Sequence, residues 1–311
     1  MGRNSVENQV IHTLCAQTAY GESKHLAKAA LRKAGNYKFG MMMPKIYSKV
    51  TFKTYKQVSL QYVRWCQVNK GLSKYAHINK YEPYAIEYLQ YRKDSGKSKD
   101  TLDLDRAGLG HLFKKQINFD TGKRNLDKIT RSRGSKKMDK HFSEKNNANL
   151  INITKATGGR RDDMRKLHTY NFREINGRLY VDFIKSKGGR SRVSPVLPEM
   201  EKAVLDYKAK VISEGRTNLF ERIHTKADVH SFRREYAQDL YKMVSKDRTL
   251  LDELLVAYPP RSANKYEKNI QSNTYTARRG KNRKTYCRDA LYLVSQALGH
   301  NRLEVVVNHY F

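Results

Sequence analysis

The chain has 311 residues, of which 62 are Lys or Arg and 30 are Asp or Glu, so its formal net charge is +32. At about 150 residues per domain, the length predicts about two domains. Such an excess of positive charge repels itself unless a polyanion neutralises it, so the composition favours a nucleic-acid partner over a small-molecule substrate. A basic protein held by RNA within a larger particle would have the same composition, and charge alone leaves both interpretations open.

Other classes of protein are excluded by simple patterns. No stretch approaches the ~20 apolar residues of a membrane-spanning helix, and residues 1–16 lack the apolar run and cleavage site of a signal peptide. The cysteines Cys15, Cys66 and Cys287 are too far apart for a disulfide framework or a zinc cluster. We therefore expect a cytoplasmic protein with reduced thiols, no metal, no cofactor and no membrane contact.

The first 120 residues are predicted to be helical. Residues 1–44 form a basic leader with a short amphipathic helix at 23–34, which either packs on the next domain or contacts the polyanion. Hydrophobic spacing predicts helices at 51–69 and 84–91, and a third that begins near Lys99 with Asp100 or Thr101 as its N-cap. Residues 45–120 are therefore interpreted as a helical DNA-binding domain, although a bundle without a DNA contact would look similar.

A basic segment at 121–140 is poor in apolar residues and is interpreted as a linker, either lying along a phosphate backbone or merely solvated. From 141 onward the pattern is mixed. Helices are predicted at 146–157, 162–167, 230–244, 250–256 and 289–298. Strands at 178–184 and 192–196 form a predicted hairpin with a Lys- and Gly-rich turn at its tip.

Four short motifs in this second half carry the candidate chemistry. A glycine turn at 157–160 presents backbone N–H groups together with Arg160, a combination that suits a phosphate. Lys187, at the tip of the predicted hairpin, can reach a substrate and protonate a leaving oxygen. His230 and Arg233 are spaced i and i+3 and share a helix face.

The fourth motif is a Leu-Gly-His sequence at 298–300, followed ten residues later by Tyr310. Each of the four motifs alone is also typical of an ordinary basic surface, a solvated turn or a packing tyrosine. Their combination in this order, at the end of the chain, is much rarer by chance.

Taken together, the order Arg160, Lys187, His230–Arg233, His300 and Tyr310 resembles the tyrosine recombinases, the phage integrase family. The resemblance covers the second half through its motifs and the region 45–120 through its helical pattern only. It implies a mainly α fold with a small β-hairpin or sheet in a catalytic domain at 141–311. It also implies a two-domain, C-shaped clamp in which the helical core-binding domain and the catalytic domain enclose DNA.

The family resemblance implies a role for each of these residues. Tyr310 matches the nucleophile that forms a 3′-phosphotyrosyl link and releases a 5′-hydroxyl. Arg160 and Arg233 match the arginines that bind the non-bridging phosphate oxygens, and Lys187 matches the general acid. His230 and His300 match the histidines that assist proton transfer and hold the phosphate.

Physical chemistry supports this set of residues. Two guanidiniums stabilise the negative charge that spreads over the phosphate oxygens during the transfer. A tyrosine hydroxyl, with an ordinary pKa near 10, needs a base or a cationic field to attack. The covalent link conserves the bond energy, so rejoining needs no ATP. No cluster of carboxylates with metal spacing stands out in the sequence, which favours chemistry without a metal.

Two features depart from the family pattern. His230 and His300 are 70 residues apart, which indicates an insertion at about 246–288. Its basic stretch 277–284 is interpreted as a DNA-contacting loop or a helical hairpin, or else as a solvated loop. Many family members also continue beyond the tyrosine with a segment that docks on a neighbouring subunit. Here only Phe311 follows Tyr310, and assembly through such a segment is left open.

The sequence thus predicts a site-specific DNA recombinase, an integrase that acts on a mobile element in the cytoplasm or nucleoid. Its expected partners are double-stranded recombination sites, further copies of itself in a homotetramer on DNA, and accessory DNA-bending or directionality proteins. A transposase or a resolvase of dimers would use the same chemistry. The sequence is also compatible with a type IB topoisomerase-like relaxase and with a non-catalytic DNA- or RNA-binding protein of the same fold.

Overall fold

A computed structural model describes residues 4–38, 40–123, 142–187, 189–277 and 283–311. The chain divides into two compact units, Met1–Gly134 and Ser135–Phe311, which we call unit 1 and unit 2. The predicted linker at 121–140 lies outside the described residues, apart from 121–123.

Unit 1 contains five α-helices among its described residues. They are α1 (Val6–Cys15), α2 (Lys24–Lys33), α3 (Lys49–Lys70), α4 (Ala85–Asp94) and α5 (Lys99–Phe113). The predicted helices at 23–34, 51–69, 84–91 and from Lys99 are confirmed as α2 to α5. The predicted N-cap of α5 is wrong: Ser98 has the extended backbone, and its hydroxyl accepts a hydrogen bond from the Thr101 N–H at 3.3 Å. Asp100 and Thr101 already lie within the first turn.

The core of unit 1 includes the first helix of the chain. Val6, Val10 and Leu14 of α1 are fully buried, and they pack with Tyr62 and Val63 of α3. Residues at positions i, i+4 and i+8 share one face of a helix, which explains how a short helix fills this groove. The segment 1–44 is therefore not simply a leader, because α1 is part of the helical domain. By contrast, α2 has no buried residue.

Unit 2 combines seven helices with two small sheets among the residues that the structure describes. The helices are α6 (Ala148–Thr157), α7 (Arg161–Arg165), α8 (Glu201–Ser213), α9 (Val229–Val244), α10 (Arg248–Leu255), α11 (Arg288–Ala297) and α12 (Leu303–Tyr310). The strands are β1 (Phe172–Ile175), β2 (Arg178–Phe183), β3 (Arg192–Pro195), β4 (Thr274–Ala277) and β5 (Lys284–Cys287). The predicted mainly α fold with a small β part is confirmed.

The first sheet is antiparallel in the order β1-β2-β3. The predicted hairpin is confirmed as β2 and β3, in which Phe183 lies opposite Arg192 and Tyr180 lies opposite Pro195. The sequence pattern does not reveal β1, because two of its four residues, Arg173 and Glu174, are charged and exposed. This sheet places the turn that contains Lys187 beside the start of α7.

The second sheet belongs to the insertion at 246–288. Its strands β4 and β5 pair antiparallel, with Tyr275 opposite Tyr286 and Thr276 opposite Thr285. Aromatic and β-branched residues favour this extended pairing, so these two parts of the insertion form a pair of strands and not the expected helical hairpin. Most of the basic stretch itself, residues 278–282, lies outside the described part of the chain.

Two helices of unit 2 end close together and shape the site described below. The C-cap of helix α6 is Gly158 (φ 65°), and the C-cap of α11 is Leu298, which is followed by Gly299 (φ 67°). Left-handed backbone of this kind is available to glycine at little cost. Among the described helices, none combines the length and apolar character that crossing a membrane requires.

Replacing Leu14 by Ala tests whether α1 belongs to the core of unit 1. We expect the free energy of unfolding of unit 1 to fall by about 3 kcal/mol, because the change leaves a cavity at a fully buried position. Urea unfolding followed by the fluorescence of Trp65, the single tryptophan of the chain and part of α3, reports this unit. The control Leu26→Ala, at a position 67% exposed on α2, should change it by less than about 0.5 kcal/mol. Equal, small effects would contradict the assignment of α1 to the core.

Candidate active site

Three arginines meet at the ends of α6 and α11. Arg233 Nη1 donates a hydrogen bond to the Gly158 carbonyl, and its Nη2 donates to the Leu298 carbonyl at 2.6 Å. Arg160 Nη2 donates to the same Leu298 carbonyl at 3.0 Å. The last carbonyl groups of a helix lack intrahelical partners and carry partial negative charge. Two helix ends therefore hold the guanidiniums in place.

Arg192 is the third arginine of this cluster, and the sequence motifs do not reveal it. It lies on β3 and is 9% exposed, with Nη1 bonded to the Ala297 carbonyl at 2.7 Å and Nη2 bonded to Asp163 Oδ2 at 2.7 Å. Its guanidinium also lies over the Phe183 ring, 4.0 Å from the centroid. The alternation of β3 places Arg192 on the inner face, but an arginine is normally read as a surface residue.

Asp163 connects two of these arginines. Its carboxylate pairs with Arg192 and accepts a hydrogen bond from the Arg160 backbone N–H at 2.9 Å, while Arg160 Nη1 lies 3.9 Å away. Burial by itself would raise the pKa of this carboxyl group, but the Arg192 charge and the hydrogen bonds bring the pKa below its usual range. Asp163 is therefore charged and fixes the orientation of Arg160 and Arg192.

The cluster has more positive than negative charge. Arg160, Arg192 and Arg233 contribute three positive charges, and Asp163 contributes one negative charge. In the part of the chain that the structure describes, no carboxylate forms an ion pair with Arg233, which is only 1% exposed. A buried cation is costly to leave uncompensated, so the site is suited to an anion.

Tyr310 places its hydroxyl within this charged cluster. Arg233 Nε donates to the Tyr310 oxygen at 3.0 Å, and His300 Nε2 lies 3.3 Å from the same oxygen. Because that oxygen already accepts from Arg233, its own proton can be donated to His300 Nε2 when the imidazole is neutral. Tyr310 is 3% exposed, and its ring contacts the rings of His230 and His300, at centroid distances of 5.7 and 5.8 Å.

The surroundings of His230 and His300 favour the neutral form of both imidazoles. Burial, followed by the nearby guanidiniums of Arg233, Arg160 and Arg192, lowers the pKa of His300 to about 3. Desolvation and Arg233 also lower the pKa of His230, whose outer side is exposed. Neutral His300 can therefore act as a proton acceptor at neutral pH.

Gly299 allows the backbone to bring His300 to this position. A Cβ at 299 would lie 2.7 Å from the Cδ atom of the buried Arg192, and the positive φ angle would strain any side chain there. The His300 backbone is fixed further by Ser295, whose carbonyl accepts from the His300 N–H at 2.7 Å and whose hydroxyl donates to the His300 carbonyl at 2.8 Å.

Lys187 is exposed in the turn between β2 and β3. Its neighbour Ser186 accepts a hydrogen bond from Arg160 Nη1 at 3.0 Å, so the turn is tied to the cluster. No contact joins the Lys187 amine to the cluster among the described residues. The structure thus brings together Arg160, Arg233, His300 and Tyr310, places His230 against the Tyr310 ring, and leaves Lys187 at the rim.

Two further tyrosines close to His300 in the sequence lie away from the cluster. The Tyr292 hydroxyl donates to the Pro259 carbonyl at 2.9 Å, and the Tyr286 ring packs against Tyr241. Neither hydroxyl is placed to replace that of Tyr310. Among the described residues, no group of three or more His, Cys, Asp or Glu side chains could hold a metal ion.

Comparison with known proteins places this fold. No protein-family model and no curated protein matches the chain. A solved structure of the XerH site-specific recombinase bound to palindromic difH substrate, a post-cleavage complex, is similar with a TM-score of 0.50 and 16% identity, over 99% of this chain and 93% of that one. The pre-cleavage complex of XerH with difH substrate gives a TM-score of 0.50 and 17% identity, and the match covers 100% of this chain and 95% of that one. The chain therefore has the fold of the tyrosine recombinases.

The depressed pKa of His300 predicts a pH-dependent stability. A histidine whose folded pKa lies below its unfolded value of about 6.5 stabilises the fold fully above pH 6.5, and this contribution is lost as the pH falls toward 3. The free energy of unfolding of the wild-type protein should fall between pH 7 and pH 5 because of His300. In His300→Gln this fall should be smaller by roughly 1 kcal/mol, allowing for the partial exposure of the ring. Urea unfolding followed by far-UV circular dichroism measures this difference. An identical pH dependence in both proteins would contradict a neutral His300 in the folded protein.

Proposed function

We propose that the protein is a site-specific DNA recombinase that cuts and rejoins DNA strands through a 3′-phosphotyrosyl intermediate. The observation that carries the proposal is the position of the Tyr310 hydroxyl between Arg233 Nε at 3.0 Å and His300 Nε2 at 3.3 Å. A hydroxyl beside a proton acceptor and a fixed guanidinium is equipped to attack a phosphodiester. The fold is that of enzymes that use such a tyrosine.

The proposed reaction combines the geometry of the cluster with the roles that the family resemblance implies. A phosphodiester binds with its non-bridging oxygens toward Arg160 and Arg233, whose guanidiniums are held by the helix-end carbonyls. The Tyr310 oxygen forms a bond to phosphorus while its proton passes to His300 Nε2. The bond from phosphorus to the 5′-oxygen breaks, and that oxygen takes a proton from Lys187. Reversal with a different 5′-hydroxyl rejoins the strands and needs no external energy source.

The remaining residues support the phosphate site. His230, an exposed residue whose ring contacts that of Tyr310, can donate a hydrogen bond to a phosphate oxygen. Bound phosphate also offsets the guanidinium charges, which raises the pKa of His300 and strengthens it as a base. Asp163 and Arg192 contact the arginines and the loop rather than the substrate, so we assign them a positioning role.

The biological setting proposed is integration or excision of a mobile element, with a homotetramer on two DNA sites and accessory DNA-bending or directionality proteins. A transposase, a resolvase of dimers or a topoisomerase-like relaxase would use the same cluster. Mapping of the joined DNA ends separates the first two from an integrase, and relaxation of supercoiled DNA without a specific site identifies the last. A non-catalytic DNA-binding protein would bind the same DNA without cutting it.

Replacing Tyr310 by Phe tests the nucleophile. Incubated with DNA fragments that flank its own gene, the wild-type protein should form a covalent adduct that survives SDS electrophoresis. Tyr310→Phe should lower the adduct yield at least about 10³-fold, since only the attacking oxygen is lost. The control Tyr170→Phe removes a hydroxyl from an exposed ring of unit 2 and should leave the yield unchanged. Equal yields for wild type and Tyr310→Phe would refute the role of Tyr310.

Replacing Arg233 by Lys tests the need for a fixed guanidinium. Lysine keeps the charge but cannot bond the Gly158 carbonyl, the Leu298 carbonyl and the Tyr310 hydroxyl at once. We expect the single-turnover rate of adduct formation to fall about 10²- to 10³-fold, while DNA affinity in a gel-shift assay changes less than about threefold. The exposed Arg222→Lys is the matched control. A parallel loss of binding and cleavage would indicate that Arg233 only binds DNA.

A further inference from the structure

The residue after Tyr310 is held by two aromatic rings. Phe311 packs against Tyr241 of α9, with 5.1 Å between ring centroids and an interplanar angle of 63°, and against Tyr286 of β5 at 5.6 Å and 33°. Tyr241 and Tyr286 contact each other at 5.7 Å and 72°. We call these three residues the terminal aromatic cluster. Offset and edge-to-face pairs of this kind are favourable beyond the area that they bury.

A hydrogen bond from α9 holds the same end of α12. Gln238 Nε2 donates to the Tyr310 carbonyl at 2.7 Å, one of the carbonyl groups that lack a partner at a helix end. Gln238 lies on the same helix as Arg233, which bonds the Tyr310 hydroxyl. Helix α9 therefore holds both the backbone and the side chain of Tyr310.

The strand that contributes Tyr286 belongs to the insertion, which has its own rigid attachments. The Tyr241 hydroxyl accepts a hydrogen bond from the Cys287 N–H at 2.9 Å. Glu267, only 5% exposed, pairs with Arg288 at 2.9 Å and with Arg261 at 3.5 Å. A buried carboxylate with two guanidinium partners fixes the turn before β4 against the start of α11.

Helix α12 needs such an external support. It has only eight residues, which is too short to be stable as an isolated helix. Leu303, Val306 and Val307 bury its first turns in the core. Its last turn, which carries Tyr310, is the part that would fray, and the position of the Tyr310 oxygen depends on it.

We propose that the insertion at 246–288 seats the nucleophile's helix in the active site of its own chain. Tyr286 and Tyr241 hold Phe311, and Gln238 holds the Tyr310 carbonyl, so that the hydroxyl stays beside Arg233 and His300. These are positioning residues for the recombinase reaction, and this assignment rests on the proposed function. The insertion thereby has a structural task in catalysis that is separate from any DNA contact of its basic stretch.

Hydrogen exchange of the α12 amides in the DNA-free protein tests the seating directly. Phe311→Ala and Tyr286→Ala should each accelerate exchange at the last turn of α12 about tenfold. Tyr286→Phe keeps the ring and should restore wild-type exchange, and Tyr266→Ala, which removes a 46% exposed ring from the same insertion, should have no effect. Phe311 lies outside the insertion, so the result for Phe311→Ala stands even if Tyr286→Ala fails to fold. Unchanged exchange in Phe311→Ala would overturn the proposal.

Adduct formation by the same variants tests the consequence for catalysis. With saturating DNA, Phe311→Ala and Tyr286→Ala should slow single-turnover cleavage about tenfold and leave DNA affinity within about twofold, while Tyr286→Phe should cleave as the wild type does. Equal cleavage rates in Phe311→Ala and the wild type would overturn the positioning role. A wild-type protein that forms no adduct refutes the proposed function instead, and the exchange data then decide the seating of α12 independently.

Discussion

The structure of unit 2 depends on the capture of three guanidiniums by the carbonyl ends of two helices. Arg233 joins the end of α6 to the end of α11, Arg160 joins the end of α11 to the β2–β3 turn through Ser186, and Arg192 joins both helix ends to Asp163. Mutual repulsion would separate such charges in the absence of these acceptors. The helix dipoles and one carboxylate hold them, and the arrangement is complete before a substrate arrives.

This preorganised positive field explains the behaviour of the other groups. Together with burial, which is the larger cause, it lowers the pKa of His300, so the imidazole beside Tyr310 is neutral at neutral pH. It also offers a binding place for a phosphate, because Asp163 balances only part of the charge. In the proposed reaction, the same cations favour the neutral form of His300 and attract the phosphate, as expected of an electrostatically preorganised site.

The parts of this site that depend on residue type and order are predictable from the sequence. Arg160, Arg233, His300 and Tyr310 each lie in a short motif, and the structure brings all four together. Arg192 lies in no such motif, since its role arises from the inward face of β3 and from Asp163, which only tertiary packing reveals. Helices with strong periodicity, such as α3, are also predictable.

Other elements escape prediction for physical reasons that no local pattern contains. Helix α1 lies in the segment 1–44 that the sequence analysis interprets as a leader, and its three buried positions become part of a core only through packing with α3. Strands β4 and β5 have four residues each and flank the basic stretch 277–284, and their pairing with each other is a tertiary arrangement that so short a pattern does not indicate. Gln238 and Tyr286 belong to the site because Gln238 contacts Tyr310 and Tyr286 contacts Phe311.

The distribution of the site along the chain has a consequence for biosynthesis. Arg160 and Tyr310 are 150 residues apart, and the segments between them supply Arg192, Arg233 and His300. Contacts so distant in sequence form late in folding. A nascent chain that has exposed its arginines has not yet placed Tyr310 beside them. Under the proposed function, a chain can therefore cut DNA only after unit 2 has been fully synthesised and folded.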